Sequence, residues 1–198
     1  MTTANGRTAA YPIDPLFLNR WSPRAFTGEA IPVEQLMTIL EAARWAPSSY
    51  NSQPWRMIWA RRDTPQWPTL FGLLGEFNQS WNKDAAALII MVSNSTMQPP
   101  GQDKPVPSHT HSFDTGAAWA SIALQATLMG WHAHGMIGFD LQRAFTELRV
   151  PAGYRVEAAI GIGRRGDKSL LPEAMQAREA PSDRQPLSAT AFEGGFPG

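Results

Sequence analysis

Cysteine is absent from the 198 residues of the chain. Its absence excludes disulfide bonds, thiolate catalysis and metal sites built on cysteine. The sequence also has no run of about 18 apolar residues, so it predicts no membrane-spanning helix. The opening segment MTTANGRTAAYPIDP lacks the apolar core of a signal peptide. Together these absences favour a cytoplasmic protein with no membrane partner.

An excess of charge of either sign is missing as well. The 17 basic residues equal the 17 acidic ones, whereas nucleic-acid-binding proteins show clustered Lys and Arg. We therefore expect no nucleic-acid partner. The length fits one domain. Eight tryptophans supply rings that suit a core, an interface or an aromatic ligand pocket.

Apolar periodicity and turn residues predict an α+β or mixed α/β fold. Helices are expected over about 14–22, 31–45, 67–81, 113–130 and 140–148, and strands over 55–62, 85–93, 133–136 and 155–163. The proline-rich segment 94–112 is too long for a tight turn and is typical of functional or disordered loops. In the helix over 113–130, Ala117, Ala120, Leu124, Thr127 and Leu128 fall on one stripe, and the small residues of this helix allow close helix packing.

The segment GIGRRG (161–166) matches the GxGxxG pattern of dinucleotide-binding loops. That fingerprint requires a following helix and an acidic residue about 20 positions later, within a βαβ unit. The sequence DKSLLP follows instead. We therefore reject a dinucleotide-binding fold and expect these glycines to end a strand beside tightly packed backbone.

All four histidines fall in two HxH pairs, His109/His111 and His132/His134. Residues i and i+2 of a strand share a face and can chelate a metal ion. This pattern keeps a metal-dependent hydrolase as an alternative from a different functional class. No well-spaced carboxylate accompanies either pair, so unrelated histidines are the favoured interpretation and no metal ligand is assigned.

Two polar segments point to a nucleotide with a polar ring. In RWSPRAF (20–26), two arginines flank a serine, and arginine forks bind phosphate bidentately. In PSSYNSQPW (47–55), the amides of Asn51 and Gln53 can donate and accept at once, which matches the alternating ring edge of a flavin. A phosphate site followed by such a loop describes a ligand such as FMN.

The sequence resembles the nitroreductase family of FMN flavoproteins. The resemblance rests on RWSPRAF (20–26), EAARWAPSSYNSQPWRM (41–57), FDTGAAWASIALQATLMG (113–130) and HGMIGFD (134–140), in the family's order. It implies an α+β homodimer in which a central mixed sheet is flanked by helices and two FMN sites lie at the subunit interface. We expect a mobile lead over 1–13, then a single FMN-binding domain over 14–198 whose tail (164–198) wraps the surface or the partner.

The resemblance also implies which residues bind FMN. Those resembling the segment that holds the phosphate and one ring edge are Arg20, Trp21, Ser22 and Arg24. Those resembling the loop that reaches the flavin bound mainly to the other subunit are Ser48, Ser49, Asn51 and Gln53. Those resembling the stretch that passes the ring near N5 are Gly135, Met136, Ile137 and Gly138. Asn78 matches a flavin-contacting asparagine, and Arg184 matches the C-terminal basic residue that closes on the phosphate.

Two positions depart from common members of the family. Ser182 stands where a lysine is frequent. Ile137 stands where some members carry an acidic residue, which leaves its backbone N–H as the partner for N5. The chain is also compact between residues 93 and 113, and we hypothesise that this loop shapes the acceptor pocket, with His109 or His111 as polar contacts.

The activity implied by the resemblance is ping-pong transfer of a hydride from NADH or NADPH, through flavin N5, to an electron-poor small molecule such as a nitroaromatic or a quinone. No side chain is assigned a catalytic role, since the cofactor supplies the chemistry. Reductive dehalogenation, enal or aldehyde reduction and flavin fragmentation remain as alternatives on the same fold. A protein that binds FMN or a metabolite without turnover is a further alternative.

Overall fold

A four-stranded sheet forms the centre of the computed structural model, which describes residues 1–197. Its order is β3-β4-β8-β7, with β3 at Trp55–Arg61, β4 at Ala87–Asn94, β7 at His132–Met136 and β8 at Tyr154–Gly163. All neighbouring strands in this order are antiparallel. The α+β class is therefore confirmed, whereas the sheet predicted as mixed has only antiparallel pairs within residues 1–197. The helical connection after β3 returns the chain to the end where β3 stops, so β4 runs back along it.

Helices cover both faces of this sheet. They are α1 (Pro15–Asn19), α2 (Val33–Arg44), α3 (Trp67–Gly72), α4 (Glu76–Asn82), α5 (His111–Leu128), α6 (Leu141–Glu147) and α7 (Glu173–Gln176). Leu88 and Ile90 of β4 belong to a core built with α3, α4 and α6, while Ile89 and Met91 belong to a core built with α2 and α5. Successive strand side chains point to opposite faces, so a strand covered on both faces is apolar throughout.

The helix predicted over 67–81 is two helices with a break at residues 73–75. The break has a tertiary cause. The backbone of these residues bonds to the segment after β7: Gly75 N donates to Gly138 O (3.1 Å) and Asp140 N donates to Leu73 O (2.8 Å). Continuing the helix would remove the Leu73 carbonyl from this contact, and the local periodicity contains no sign of it.

The stripe identified on α5 is not the side that packs on the sheet. The residues that face the core are Asp114, Thr115, Ala118, Ile122, Ala123 and Ala126. Ala117 of the stripe packs against the edge of this core. The rest of the stripe lies on the outer side, where Ala120 is exposed and Leu128 is 64% exposed. Because α5 carries small and apolar residues on both sides, periodicity could not indicate which side faces the sheet.

Residues near the N-terminus form a hairpin of β1 (Thr2–Ala4) and β2 (Arg7–Ala9). Asn5 and Gly6 form its turn with φ values of 53° and 71°, and Asn-Gly is the sequence preferred in such tight hairpins. This signal was present in the sequence and was missed. The mobility expected for residues 1–13 and the single domain over 14–198 stay predictions.

The structure also shows what the proline-rich segment 94–112 and the GIGRRG segment form. The segment 94–112 contains a short ladder between β5 (Thr96–Met97) and β6 (Val106–Pro107). The GIGRRG segment ends β8, as predicted. A Cβ on Gly161 would collide with the side chain of Asn82 and one on Gly163 with that of Phe26, whereas Gly166 lies against the backbone of Phe26, as expected. No helix in the part of the chain that the structure describes is long and apolar enough to cross a membrane.

Candidate functional site: an arginine cavity and an amide loop

A cavity of about 320 Å³ lies where the N-terminal hairpin, the segment after α1, strand β7 and the C-terminal tail meet. We call it the arginine cavity. It is lined by Arg7, Arg20, Trp21, Ser22, Arg24, His134, Arg178, Ala180, Ser182 and Arg184. The structure thus brings the predicted residues of the 20–24 segment together with Arg184, which lies 160 residues further along the chain, and adds Arg7 and Arg178.

The guanidinium groups of this cavity perturb one another. Burial lowers the pKa of Arg20, and the charges of Arg184 and Arg7 lower it further. Burial also lowers the pKa of Arg7, and Arg184 adds to the decrease while Asp183 opposes it. Buried like charges are unfavourable unless an opposite charge compensates them. Since arginine forks match the geometry of phosphate oxygens, the lining of this cavity fits a phosphate group.

The 20–24 segment is held by a carboxylate that the sequence analysis missed. Glu179 Oε1 accepts hydrogen bonds from the backbone N–H groups of Arg24 (2.7 Å) and Ala25 (2.9 Å). Its side chain is only 4% exposed, and its Oε2 lies 4.0 Å from the Arg24 guanidinium. Glu179 therefore fixes the backbone and partly neutralises Arg24. A contact across this sequence separation leaves no local signal.

Strand β7 connects the arginine cavity to the Gly135–Gly138 segment. His134 lines the cavity, and its Nδ1 lies 3.0 Å from the carbonyl oxygen of Pro23. Burial lowers the pKa of His134 to about 4, although the hydrogen bond to Pro23 opposes the decrease. The imidazole is therefore neutral near pH 7, with its proton on Nδ1, and it packs against the ring of Trp81 at 4.6 Å.

The Gly135–Gly138 segment offers backbone groups to a ligand. The N–H groups of Ile137 and Gly138 have no hydrogen-bond partner among residues 1–197, and the side chain of Ile137 is 84% exposed. Met136 is buried in the core, so only its backbone is available. The segment follows His134 directly, and its last residue, Gly138, lies four residues further on, which corresponds to roughly 13 Å of extended chain.

Asn78 lies beside this segment. Its Nδ2 donates to Gly138 O (2.8 Å), and Gly75 N donates to the same oxygen. A Cβ at Gly138 would lie 2.7 Å from Asn78 Nδ2, so glycine allows this hydrogen bond without a shift of the Asn78 side chain. The free N–H groups are thus fixed in position by the start of α4.

The amide loop, Ser48–Gln53, has a strained backbone. Tyr50, Asn51 and Gln53 have φ values of 52°, 53° and 48°, a region that non-glycine residues rarely adopt. Such conformations cost about 1–3 kcal/mol each and cluster at functional sites. Tyr50 is 67% exposed, and among the described residues the side-chain amide of Asn51 makes no hydrogen bond.

Asp114 on α5 holds the amide loop in this conformation. Its Oδ2 accepts from Ser49 N (3.1 Å) and from Thr110 Oγ1 (2.9 Å), and the residue is only 3% exposed. Within the loop, Ser48 Oγ accepts from Gln53 N (3.0 Å). Asp114 was not among the predicted site residues, because its role depends on a contact 65 residues away.

The amide loop and the arginine cavity lie at opposite edges of the sheet. The loop leads into β3, which is the edge strand on one side, whereas the cavity and the Gly135–Gly138 segment lie along β7 at the other edge. Three strand spacings separate these edges, which is roughly 14 Å. One chain therefore brings together the predicted phosphate residues but leaves Ser48, Ser49, Asn51 and Gln53 apart from them.

The histidine pairs do not form a metal site among residues 1–197, where no three His, Asp or Glu side chains come together as ligands. His111 Nδ1 instead lies 2.8 Å from Ser93 Oγ, which donates to Glu157 Oε1 (2.6 Å). Burial lowers the pKa of His132 to about 4, and Arg165 and Arg164 lower it further. The metal-dependent hydrolase alternative thus has no ligand cluster in the described chain.

The fold and the site together define an α+β protein with an arginine-lined cavity beside the edge of an antiparallel sheet. Residues 18–66 match the model of the nitroreductase family. A crystal structure of an oxidoreductase containing FMN is 50% identical, with a TM-score of 0.95 over 100% of both chains. An uncharacterised 15.4 kDa protein of Mycolicibacterium smegmatis is 35% identical over 64% of this chain and 81% of its own. An NADH dehydrogenase of Thermus thermophilus is 26% identical over 74% of this chain and 83% of its own.

The chain belongs to the nitroreductase family.

Proposed function

We propose that this chain, an FMN-dependent oxidoreductase that uses NADH or NADPH, carries a hydride through flavin N5 to an electron-poor acceptor such as a nitroaromatic or a quinone in ping-pong turnover. The observation that carries the proposal is the continuity of the arginine cavity with the Gly135–Gly138 segment along β7. The cofactor supplies the redox chemistry, and the protein supplies position and polarity.

In this proposal each end of the site has a separate task. Arg20, Ser22 and Arg184 bind the phosphate through charge-assisted hydrogen bonds. The N–H groups of Ile137 and Gly138 would donate to the ring near N5, because N5 of an oxidised flavin accepts a hydrogen bond. Asn78 positions that segment by bonding to Gly138 O.

We further propose that the site is completed by a second copy of the chain. The amide loop has free polar groups but lies at the sheet edge opposite the cavity of its own chain. The outer side of α5 is apolar and exposed, from Phe113 (81%) through Gly116 and Ala120 to Leu128 (64%). Small residues allow two such helices to approach closely, and a two-fold dimer brings the same surface of each copy together. A cytoplasmic location stays a prediction from the sequence.

Purified protein tests the function directly. We expect released flavin to be identified as FMN, anaerobic addition of NADH or NADPH to bleach it, and nitrobenzene or a benzoquinone to restore its colour. A flavin that neither nicotinamide reduces would instead indicate a binding protein without turnover. A colourless protein that takes up no added FMN would contradict the proposal.

A matched pair of variants tests the phosphate site. Arg20→Ala removes a charge-assisted pair worth about 1.5–3 kcal/mol, so we expect FMN to be lost on dialysis. Arg143→Ala removes an exposed arginine of α6 that pairs with Glu147 on the surface, and we expect it to retain FMN. Stoichiometric FMN in both variants would contradict the assignment of the arginine cavity.

A further inference from the structure

The N-terminal hairpin brings a buried cation to the arginine cavity. Arg7 is only 8% exposed and lines the cavity with Arg20 and Arg184. One of its terminal nitrogens, Nη1, donates to the carbonyl oxygens of Leu18 (3.0 Å) and Arg20 (3.0 Å). These two bonds fix the direction of the guanidinium and place it against the backbone of the 20–24 segment.

The remaining donors of Arg7 are free. Nε is buried and has no partner, and Nη2 makes no hydrogen bond among residues 1–197. Arg7 also forms no ion pair with a carboxylate in that part of the chain. A buried guanidinium is normally paired, because losing its hydration without compensation is costly. Its position therefore indicates an anion that completes its coordination.

The hairpin is built to hold Arg7 in this place. Thr2 Oγ1 donates to Ile13 O (2.8 Å), just before α1, and Asn5 Nδ2 donates to Asn19 O (3.4 Å), at the end of α1. The Asn5-Gly6 turn fixes the register in which Ala4 pairs with Arg7. The hairpin thus packs along α1 and delivers one side chain to the cavity.

We propose that Arg7 is a phosphate-binding residue of the FMN site and that the N-terminal hairpin is part of that site. The assignment rests on the proposed function, since it takes FMN as the ligand. Arg7 binds the phosphate with Nη2, which makes no hydrogen bond among residues 1–197 and is not enclosed as Nε is. The dianion offsets the repulsion among Arg7, Arg20 and Arg184. The hairpin then contributes to selection of FMN over riboflavin, which has the same ring without the phosphate.

Two variants and two ligands test this assignment. Arg7→Met removes the charge but keeps a long apolar stem in the buried position. Arg62→Met is the matched control, because Arg62 is a part-buried arginine that also donates to a backbone carbonyl, that of Gly28, but does not line the cavity. The dissociation constants of FMN and riboflavin are measured by fluorescence titration of the flavin-stripped protein.

If Arg7 binds the phosphate, Arg7→Met should raise the dissociation constant of FMN by about 10–100-fold, while that of riboflavin should change little. Arg62→Met should change neither. A third variant, Arg7→Gln, removes the charge but keeps an N–H donor for the carbonyl oxygens of Leu18 and Arg20. If Arg7 only supports that backbone, Arg7→Gln will bind FMN as tightly as the unmodified protein, which would overturn the assignment. Unchanged FMN binding in Arg7→Met would overturn it as well. Failure of the unmodified protein to bind FMN would instead refute the proposed function and is distinguishable from both.

Discussion

The arginine cavity and the amide loop differ in how one chain builds them. The cavity gathers guanidinium groups from the hairpin, the segment after α1 and the tail around one volume, with Glu179 bonded to its backbone. The amide loop is a short strained segment held from outside by Asp114, and its Asn51 amide points to no partner among residues 1–197. One chain therefore supplies all the charged groups that line the cavity. The loop is polar and preorganised, but it lies away from the cavity of its own chain.

This difference teaches how a site can be divided between two copies. A phosphate needs a high density of positive charge, which one chain can provide by bringing distant segments together. A ring edge needs donors and acceptors in a fixed order, which a strained loop provides at low flexibility. The two parts lie at opposite edges of the sheet, so the complete site that we propose requires a second copy of the chain.

The largest expected effect comes from the outer side of α5. Ala120→Glu places a carboxylate on the apolar surface that the proposed dimer would bury. A buried, unpaired carboxylate costs about 3–5 kcal/mol. We expect the dimer to dissociate and bound FMN to be lost, as measured by light scattering and flavin content. Thr69→Glu on the exposed side of α3 is the control and should remain dimeric. A dimeric, flavin-bound Ala120→Glu protein would place the interface elsewhere.

Mixed dimers sharpen the comparison further. Arg20→Ala damages the cavity and Asn51→Ala damages the loop, so each homodimer should bind FMN about 10–100-fold more weakly. In a heterodimer of the two variants, a loop that serves the partner leaves one site fully intact and the other doubly damaged. We expect half of the normal tight FMN sites in differently tagged, purified heterodimers. A loop that serves its own chain would give no tight site.

A smaller effect is expected where the loop is anchored. Asp114→Ala leaves Ser49 N–H and the Thr110 hydroxyl without their shared acceptor, which should lower the free energy of unfolding by about 1–3 kcal/mol. Urea denaturation measures the change. Asp63→Ala removes a carboxylate that is 71% exposed and should be neutral. Equal stability of the two variants would mean that Asp114 does not hold the loop.

The smallest effect that we expect is the contribution of His134, beside the arginine cavity, to the pH dependence of stability. The pKa of His134 is about 4 in the folded protein, below its value of about 6.5 in an unfolded chain. The unfolded state therefore binds the extra proton first, and stability falls as the pH decreases from about 6.5 to about 4. His134→Asn retains an N–H near Pro23 O but does not titrate in this range, so its stability should depend less steeply on pH. An unchanged slope would exclude His134 as a cause.

Much of the fold was predictable because it follows from local chemistry. The continuous apolar run of β4 predicted a strand that is covered on both faces. Asp140 was predicted as an N-cap, and it caps α6 by accepting from Arg143 N (2.9 Å). The break at residues 73–75 was not predictable, since it results from hydrogen bonds to the segment after β7. The buried side of α5 was not predictable either, because both of its sides are apolar.

The sequence by itself determined which chemical groups are available: arginines and a serine near residue 20, amides near residue 51 and no cysteine. These groups and their order were enough to indicate a flavin nucleotide, because phosphate and ring edge demand particular donors. Only the tertiary structure decided that Arg7 joins Arg20 and Arg184, that Glu179 and Asp114 hold the two regions, and that the amide loop lies across the sheet from the cavity. Those features depend on contacts between residues far apart in the chain, and local sequence patterns do not predict such contacts.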